Sequence, residues 1–424
     1  MKSSLCFLAL VLFALSGCSR ADERKASIVA LAKAMAVNDL AAIRAAVLEG
    51  RAVLGDKAGI PEVADDFKKA PADATLLTRE EAQRGFTPHF DQLEKMRWWH
   101  VGTDPTKLIA PLRGVASVIV GNVAAVRAKL DGADRSLAMA KDAAGFLIWA
   151  QQQAAAGLYP FPAARGTSGA RAMEAATRFL AKAEKAGKLA DIVRHGWIFD
   201  DLGDGGLQFD NGECGVAMFE MYELTKDARY LDSARQAADW ALAQPLCPNW
   251  NYNSFSVHLL AKAFAVTGKA NYLDAALLKA RLGVIPGQLT DGPHAGRWMD
   301  AHNARPAYHY VMMSALAQLA AVLPPGHEHR AEVHLALALG LKSRNSEMVS
   351  HGVMNKDHAI ETLLFVNRAF KDDAGFLSET QSADAVTAVG CLVSAEARRG
   401  KSPLSPGAWG RFLEFIVSQP AKKP

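Results

Sequence analysis

The chain has 424 residues, half of them hydrophobic, and a formal net charge of +4 at pH 7. This length is enough to bury a large core, and acidic and basic residues alternate along it. Because no basic stripe with interleaved aromatic residues is found, no nucleic-acid partner is expected.

The N-terminus, MKSSLCFLALVLFALSGCSR, has the features of a secretory signal. Its apolar run of about a dozen residues is too short to span a bilayer. The stretch Leu-Ser-Gly-Cys at 15–18 resembles the lipobox of bacterial lipoproteins, which implies that residues 1–17 are a signal peptide and that Cys18 carries a lipid anchor in a membrane. Ser19 implies the periplasmic face of the outer membrane. The alternative is an ordinary cleaved signal with a chance cysteine.

Three cysteines follow this region, and they are Cys214, Cys247 and Cys391. An oxidising compartment permits one disulfide among them. Cys214 is expected to open one helix and Cys247 to close the next, so the two would be neighbours in an antiparallel pair. We therefore predict a Cys214–Cys247 disulfide. No metal site is predicted, since no Cys-x-x-Cys pair or close histidine partner is present.

The chain is predicted to be helical almost throughout, so the fold class is all-α. Alanine, leucine and lysine dominate, apolar residues recur at intervals of three and four, and the alternation typical of strands is scarce. Residues 18–135 are less regular, and we interpret them as an N-terminal cap or as the first part of the array that follows. Residues 136–424 are expected to form the catalytic array of helix pairs.

A glycine-rich stretch at 200–213, DDLGDGGLQFDNGE, is predicted to be a loop. Its acidic residues, with Asp210 and Glu213 as the alternative acid and base, suit glycoside hydrolysis, and Asp300 or Asp357 is a candidate second acid. The same oxygens are candidate calcium ligands, although their spacing differs from that of an EF-hand. No other cofactor is predicted.

An internal repeat follows. ELTKDARYLDSA at 223–234 is echoed by AVTGKANYLDAA at 265–276, each joining an apolar helix to an amphipathic one. Near the starts of successive first helices stand four asparagines at intervals of 40, 52 and 52 residues, and they are Asn211, Asn251, Asn303 and Asn355. If the first helices run parallel as an inner layer, these polar clusters meet at one mouth. The alternative is plain N-capping, which accounts well for Asn211 and Asn355.

The stretch AHNARPAYHY at 301–310 concentrates polar chemistry at one helix start, because Pro306 suits the first helical position. The side chains before the helix are His302, Asn303 and Arg305, and those in its first turns are Tyr308, His309 and Tyr310. Helix N-termini favour anions, so this end suits a carboxylate-bearing sugar chain. The two tyrosines are two residues apart, so at most one of them can face a cavity.

This pattern of helix pairs resembles the α/α-toroid carbohydrate-active enzymes, especially polysaccharide lyases and unsaturated-uronide hydrolases. The stretches WNYNSFSVHLLAKAFAVTG and RPAYHYVMMSALAQLAA resemble, in order, two motifs of toroidal alginate lyases: an Asn-Asn-His-Ser-Tyr helix start, then an arginine before a Tyr-His-Asn-Tyr helix start. Asn251 matches the first motif and Asn253 stands where its histidine would be. Arg305, Tyr308 and His309 match the second. The resemblance implies an α/α toroid, closed or incomplete.

β-Elimination at a uronate needs a neutralised carboxylate, a base and an acid. The predicted catalytic residues are Asn251, Asn253, His302, Arg305, Tyr308, His309 and Tyr310. The predicted substrate-binding residues are Asn211, Trp250, Trp298, Asn303 and Asn355. The two tryptophans suit stacking on sugar rings, although packing in the core is the ordinary role of tryptophan in a helical protein.

The sequence therefore predicts a lipoprotein that cleaves an acidic polysaccharide or oligosaccharide by β-elimination. One alternative is a glycoside hydrolase that uses the carboxylates of the acidic stretch. The other is a lipoprotein that binds polysaccharide without cleaving it.

Overall fold

The structure is a computed structural model that describes residues 26–27, 29–54, 67–97, 99, 112–152, 157–159, 205–298, 306–400 and 404–419. Within these ranges the regular elements are helices, and the only extended pairings are the isolated bridges Lys68–Val353 and Gln288–Trp298. The prediction of an all-α fold is confirmed. Among the described helices, none is both long enough and apolar enough to cross a membrane.

The helices divide into two layers. The inner helices are α4 (Leu112–Arg127), α6 (Gly205–Thr225), α8 (Trp250–Thr267), α10 (Pro306–Val322), α12 (Lys356–Ala369) and α15 (Pro406–Ser418). The outer helices are α5 (Ala133–Gln152), α7 (Ala228–Ala243), α9 (Ala270–Gly283), α11 (Arg330–His351) and α14 (Ser382–Arg398). The shorter or peripheral helices are α1 (Leu40–Leu54), α2 (Arg79–Arg84), α3 (Thr87–Met96) and α13 (Ala374–Glu379).

The inner helices form a closed ring. Each packs against the next in the order α4, α6, α8, α10, α12 and α15, and α15 packs back against α4. The outer helices cover the junctions of this ring, as α7 does by packing against both α6 and α8. The fold is therefore an α/α toroid, as predicted, and within the described chain its ring is closed.

Sequence composition separates the two layers. The inner helix α10, PAYHYVMMSALAQLAAV, is apolar on nearly every face, which is expected of a helix enclosed on all sides. The outer helix α7, ARYLDSARQAADWALA, buries Tyr230, Ala234 and Ala237 and turns its charged residues outward. A helix as apolar as α10 is stable only with neighbours on all sides. Its composition therefore favours the inner layer.

The internal repeat is confirmed in atomic detail at the turns α6–α7 and α8–α9. In the first turn Thr225 Oγ1 donates to the Met221 carbonyl and accepts from the Asp227 N–H. In the second, Thr267 Oγ1 makes the same two bonds, to the carbonyl of Ala263 and from the N–H of Lys269. The residue between has positive φ in both turns, 60° and 69°. The two threonines therefore close equivalent helix ends.

Two glycines make the seam that closes the ring. A Cβ on Gly410 of α15 would lie 2.3 Å from the carbonyl oxygen of Gly121 of α4, and a Cβ on Gly121 would lie 2.2 Å from the carbonyl oxygen of Pro406. The two backbones thus touch where the last inner helix meets the first. Only glycine allows this approach.

The N-terminal region contributes to the same body. Its helix α4 is a ring member, and α2 packs against α15, where Trp409 Nε1 donates to the Gly85 carbonyl. The boundary expected at residue 135 falls in the first turn of α5, which packs against α4. Residues 1–25, with the signal peptide and Cys18, lie outside the described residues.

The predicted Cys214–Cys247 disulfide is wrong, since no disulfide joins these two buried cysteines. The reason is the helix start. Helix α6 begins at Gly205, so Cys214 lies more than two turns inside it instead of opening it. Cys247, in the loop after α7, has its backbone N–H and carbonyl bonded to the side chain of Asn253.

Candidate active site

A cavity of about 600 Å³ lies at the centre of the ring. Every inner helix contributes to its wall, either directly or through the residue that precedes it. The ionisable lining residues are Arg113, Glu213, His258, Asp357, His358, Glu361 and Arg411. Hydroxyl groups and aromatic rings complete the wall, and they belong to Ser117, Ser254, Ser314, Thr362, Ser405, Phe209 and Phe255.

The lining residues come from the first and middle turns of the inner helices and not from their last turns. Helix α12 (356–369) contributes Asp357, His358, Glu361 and Thr362, and α10 (306–322) contributes Val311 and Ser314. The inner helices therefore run in one direction, with their N-terminal ends at the same end of the toroid. This is the arrangement predicted from the recurring asparagines. The partial positive charge of helix N-termini is consequently gathered at this end.

Two glutamates face each other across this cavity. Glu213 belongs to α6 and Glu361 to α12, helices that are separated by two others in either direction around the ring. Burial raises the pKa of each carboxyl to about 7, and the charge of Glu213 adds to the effect on Glu361. Within the described residues neither carboxyl has a hydrogen-bond or ion-pair partner. Both are therefore available to a bound molecule, and near neutral pH they exchange protons readily.

Two histidines lie beside them. Burial lowers the pKa of His258 to about 4, and the charges of Arg411 and Lys262 act in the same direction. Burial also lowers the pKa of His358, with the charge of Asp357 opposing it. Both imidazoles are therefore neutral at pH 7, so each can accept a proton.

The third group is a guanidinium held at the rim. Arg113 donates to Asp210 from its backbone N–H and from Nη1, both at 3.1 Å, and its guanidinium lies 4.4 Å from the ring centroid of Phe209. That ring stacks on Phe255 with centroids 4.0 Å apart. Burial raises the pKa of Asp210, while the charge of Arg113 opposes the rise. The cavity thus combines apolar ring faces with a cation.

The acidic stretch differs from its prediction. Residues 205–213 are the first turns of α6 and not a loop, so Asp210 and Glu213 are fixed on a helix. Of the two, Glu213 lines the cavity, whereas Asp210 is fully buried against Arg113 and holds that side chain in place. Asp357 also lines the cavity, and one of its oxygens accepts from the Ser405 N–H. Residues 200–204 and Asp300 lie outside the described residues.

The asparagines of the first lyase-like motif are placed in the wall and not in the cavity. Asn253 is fully buried; its amide donates to the carbonyls of Cys247 and Gly283, at 2.6 and 2.8 Å, and its oxygen accepts from the Cys247 N–H at 2.9 Å. Asn251 is fully buried and donates to Asn249 Oδ1 at 2.9 Å. Asn253 therefore ties the loop before α8 to the end of α9, which is a structural role.

The second motif turns toward the outer layer. His309 Nδ1 accepts from Arg344 Nε at 2.7 Å, and its Nε2 lies 3.1 Å from the carbonyl oxygen of Trp298, to which it donates. Tyr310 is buried, and burial raises its pKa far above the usual range. Tyr308 packs against the apolar core. None of these three side chains lines the cavity; Val311, the next residue, and Ser314, about one turn after Tyr310, do so for α10.

The predicted binding residues divide in the same way. Asn355 precedes α12 and lines the cavity, with a backbone φ of 58°. Asn211 is buried and bonds outward to the Ala237 carbonyl, and Trp250 packs its ring against Gly287. Trp298 is fully buried and donates to the Val284 carbonyl. Both tryptophans therefore pack in the protein interior. His302, Asn303 and Arg305 lie outside the described residues.

The cavity residues missed from the sequence had a usable signal. Glu361 and His358 stand in KDHAIETLLFVNRA, the helix that Asn355 introduces, and Glu361 lies one turn beyond Asp357 on the same face. The shared feature is a charged residue among apolar ones in the middle of an inner helix, seen again at Arg411 in PGAWGRFLEFIVS. No group of three or more metal-ligating side chains is found among the described residues.

No protein-family model matches the chain, and no curated protein matches it either. Among solved structures it is similar to a polysaccharide lyase, at 14% identity over 80% of this chain and 95% of that chain, with a TM-score of 0.46. It is also similar to a glycosyl hydrolase of family 88 from Bacteroides vulgatus, at 13% identity over 80% of this chain and 98% of that chain, with a TM-score of 0.48.

Proposed function

We propose that this protein is a carbohydrate-active enzyme that hydrolyses a glycosidic bond of an acidic, uronate-containing oligosaccharide or polysaccharide in the central cavity. The observation that carries the proposal is the pair Glu213 and Glu361, which lie on opposite inner helices, are unpaired within the described chain, and both have a pKa of about 7. Glycoside hydrolysis requires one carboxylic acid and one carboxylate on either side of the scissile bond.

The surroundings of the two carboxyls favour different roles. The cation Arg411 acts on both carboxyls and favours the ionised form of each. Glu361 is also near the negative charges of Glu213 and Asp357, which favour its protonated form. Glu213 has a second cation nearby, Arg113, which further favours its ionised form, while the charge of Asp210 opposes this. We therefore assign the acid to Glu361 and the carboxylate to Glu213, on the rule that paired groups with different environments divide the two tasks.

The reaction then balances as follows. Glu361 gives its proton to the glycosidic oxygen as the bond from that oxygen to the anomeric carbon breaks. Water adds to the anomeric carbon and loses a proton to Glu213. The products are two shorter sugars, and proton transfer through solvent returns the two carboxyls to their starting states.

An acidic substrate is supported by charge at the cavity rim. The side chain of Arg113 is 37% exposed and lies beside the phenyl ring of Phe209, so a sugar carboxylate can approach the guanidinium while the ring face covers apolar C–H groups. The gathered helix N-termini add partial positive charge. A uronate residue offers both the anion and the apolar face.

The experiment is a panel of uronate polymers and oligosaccharides incubated with the protein. Hydrolysis gives new reducing ends without ultraviolet absorbance, which is the expected result. If reducing ends appear together with the absorbance of an unsaturated uronate, the reaction is elimination and not hydrolysis. Tight binding without cleavage would identify a binding protein.

Elimination is the second candidate, and His258 is the observation that favours it. Its imidazole lines the cavity and, with a pKa of about 4, is a neutral base at pH 7. In this reaction His258 would take the C5 proton while Arg113 neutralises the carboxylate, and Glu361 would protonate the leaving oxygen. The described residues of the lyase-like motifs would then support the wall and not perform the chemistry.

We also propose that Cys18 carries the lipid anchor, at the periplasmic face of the outer membrane, on the support of the lipobox-like sequence at 15–18. A Cys18→Ala variant should leave the membrane fraction or fail to be processed. Unchanged processing and fractionation would contradict the anchor.

A further inference from the structure

Beneath the cavity, the inner helices carry a layer of charged side chains. This layer continues the lining faces by one or two turns toward the helix C-termini, and its members are Arg127 of α4, Glu220 and Glu223 of α6, Lys262 of α8, Arg368 of α12 and Glu414 of α15. Arg411 connects the two levels, because it lines the cavity and also pairs with Glu220 below.

The ion pairs form a chain across four inner helices, α15, α6, α4 and α8. Glu220 accepts from Arg411 Nη2 and, through its other oxygen, lies 3.3 Å from Arg127 Nη1. Arg127 also lies 3.2 Å from Glu223, which bonds Lys262 at 2.8 Å. Within the described chain, Arg411 has no hydrogen bond or ion pair other than the one to Glu220. Its guanidinium is thus directed to the floor and not to the two cavity carboxyls.

We propose that Glu220 is a positioning residue, which holds the Arg411 guanidinium on the cavity floor and so leaves Glu213 and Glu361 unpaired for acid and base chemistry. The inference rests on the proposed function insofar as it treats those two carboxyls as the reactive pair. Glu220 itself does not line the cavity and is assigned no contact with substrate.

The electrostatics agree with this geometry. Although burial favours the neutral form, the charges of Arg411 and Arg127 lower the pKa of Glu220, so it is ionised. Arg411 is acted on by the charges of Glu220, Glu361, Glu414 and Glu213, which keep it protonated in spite of burial. It therefore has several carboxylates within reach, and the partner it pairs with decides which of them keep a raised pKa.

The other groups facing the pair are few. On the wall, Arg113 and Asp210 act on Glu213, and Asp357 acts on Glu361. His258 of α8 is near Arg411 and Glu220, and α10 contributes only the uncharged Val311 and Ser314. Since none of these groups is bonded to Arg411, Glu220 is the anchor that a substitution can remove selectively.

The test is carboxyl titration by ¹³C NMR of glutamate-labelled protein, with Glu213→Gln and Glu361→Gln spectra to assign the two signals. In Glu220→Gln, Arg411 is released to pair with a cavity carboxyl, and the pKa of Glu361 or Glu213 should fall by about one unit or more. Glu223→Gln removes a charge from the same layer, and Glu223 does not contact Arg411. This control should leave the pKa values of Glu213 and Glu361 unchanged.

The same substitution in an Arg411→Met protein separates two effects of Glu220 on the cavity carboxyls: its hold on Arg411 and the direct action of its own charge. In Arg411→Met the carboxyls should titrate above their wild-type values, and adding Glu220→Gln should change them much less than it does in the wild type. The double variant removes both members of the pair, so it avoids the uncompensated buried charge that threatens the single variant. An equal effect of Glu220→Gln in both backgrounds, or no effect in the wild type, would overturn the inference. Since titration needs no substrate, an inactive protein whose titrations shift as expected would contradict only the proposed function.

Discussion

Glu213 and Glu361 face a single cavity from α6 and α12, which lie on opposite sides of the inner ring, and burial gives both carboxyls a pKa of about 7. The buried positions of α12 are otherwise almost wholly apolar, whereas α6 also buries Gln208, Asp210, Asn211 and Glu220. Burying two carboxyls near one another lowers the free energy of unfolding, and this cost can be measured.

The first prediction is that Glu213→Gln becomes more stabilising as the pH rises. In the unfolded chain this carboxyl titrates near 4.5, so between pH 4.5 and 7 the folded protein keeps a proton that the unfolded chain releases. The free energy of unfolding of the wild type therefore falls across this interval. Glutamine does not ionise, so the variant should gain roughly 1 to 3 kcal/mol relative to wild type between pH 5 and pH 8, after allowance for solvent in the cavity.

Urea unfolding at the two pH values measures this difference. Glu81→Gln is the control, because the hydrogen bond from Arg398 lowers the pKa of Glu81 to about 2, so that Glu81 is ionised in both states over nearly the whole interval. The change that Glu81→Gln causes in the free energy of unfolding should be nearly the same at pH 5 and pH 8. A pH-independent effect of Glu213→Gln would show that the raised pKa is absent.

The second prediction concerns the seam of the ring. Gly410→Ala should destabilise the protein by about 3 kcal/mol or more, because the new Cβ would lie 2.3 Å from the Gly121 carbonyl oxygen and the two backbones must separate. Gly145→Ala in the outer helix α5 is the matched control, since nothing lies within 4 Å of its Cβ position. It should be neutral or stabilise by up to about 1 kcal/mol. Equal thermal unfolding of the two variants would contradict a ring closed at this point.

The third prediction separates structure from chemistry at Asn253. Asn253→Ala should lower the free energy of unfolding by about 3 kcal/mol, since it leaves the buried carbonyls of Cys247 and Gly283 and the Cys247 N–H unpaired. Turnover of the folded variant should be close to normal. Asn271→Ala, at an exposed position of α9, controls for the substitution itself. An Asn253→Ala protein that is stable but inactive would show that Asn253 takes part in catalysis.

The fold was predictable because its pattern is repeated. Thr225 and Thr267 occupy the same position in the two repeats, which indicated equivalent turns. Apolar helices such as α10 are stable only in an enclosed position. Closure of the ring was not predictable, because it depends on contact between Gly121 and Gly410, which are 289 positions apart in the chain.

The candidate site was harder to predict because side-chain direction on a helix changes by about 100° per residue. The position of α10 was foreseen, yet His309 and Tyr310 turn toward Arg344 and the outer layer, whereas Val311 reaches the cavity. Glu213 was found through its acidic neighbours. Glu361 lies one turn beyond Asp357 on the same helix face, and its position opposite Glu213 across the ring is seen only in the structure.

The most direct measurement of the central claim is the turnover of Glu361→Gln on two uronosides that differ only in leaving group, one a sugar and the other a nitrophenolate. Glu361 is assigned the proton that the departing oxygen needs, so loss of this acid should lower turnover of the sugar substrate by roughly a hundredfold to ten-thousandfold. The nitrophenyl substrate, whose leaving group departs without protonation, should lose far less. Glu223→Gln should leave both rates near those of the wild type. Equal losses on the two substrates, or full activity on both, would contradict the assignment of Glu361 as the catalytic acid.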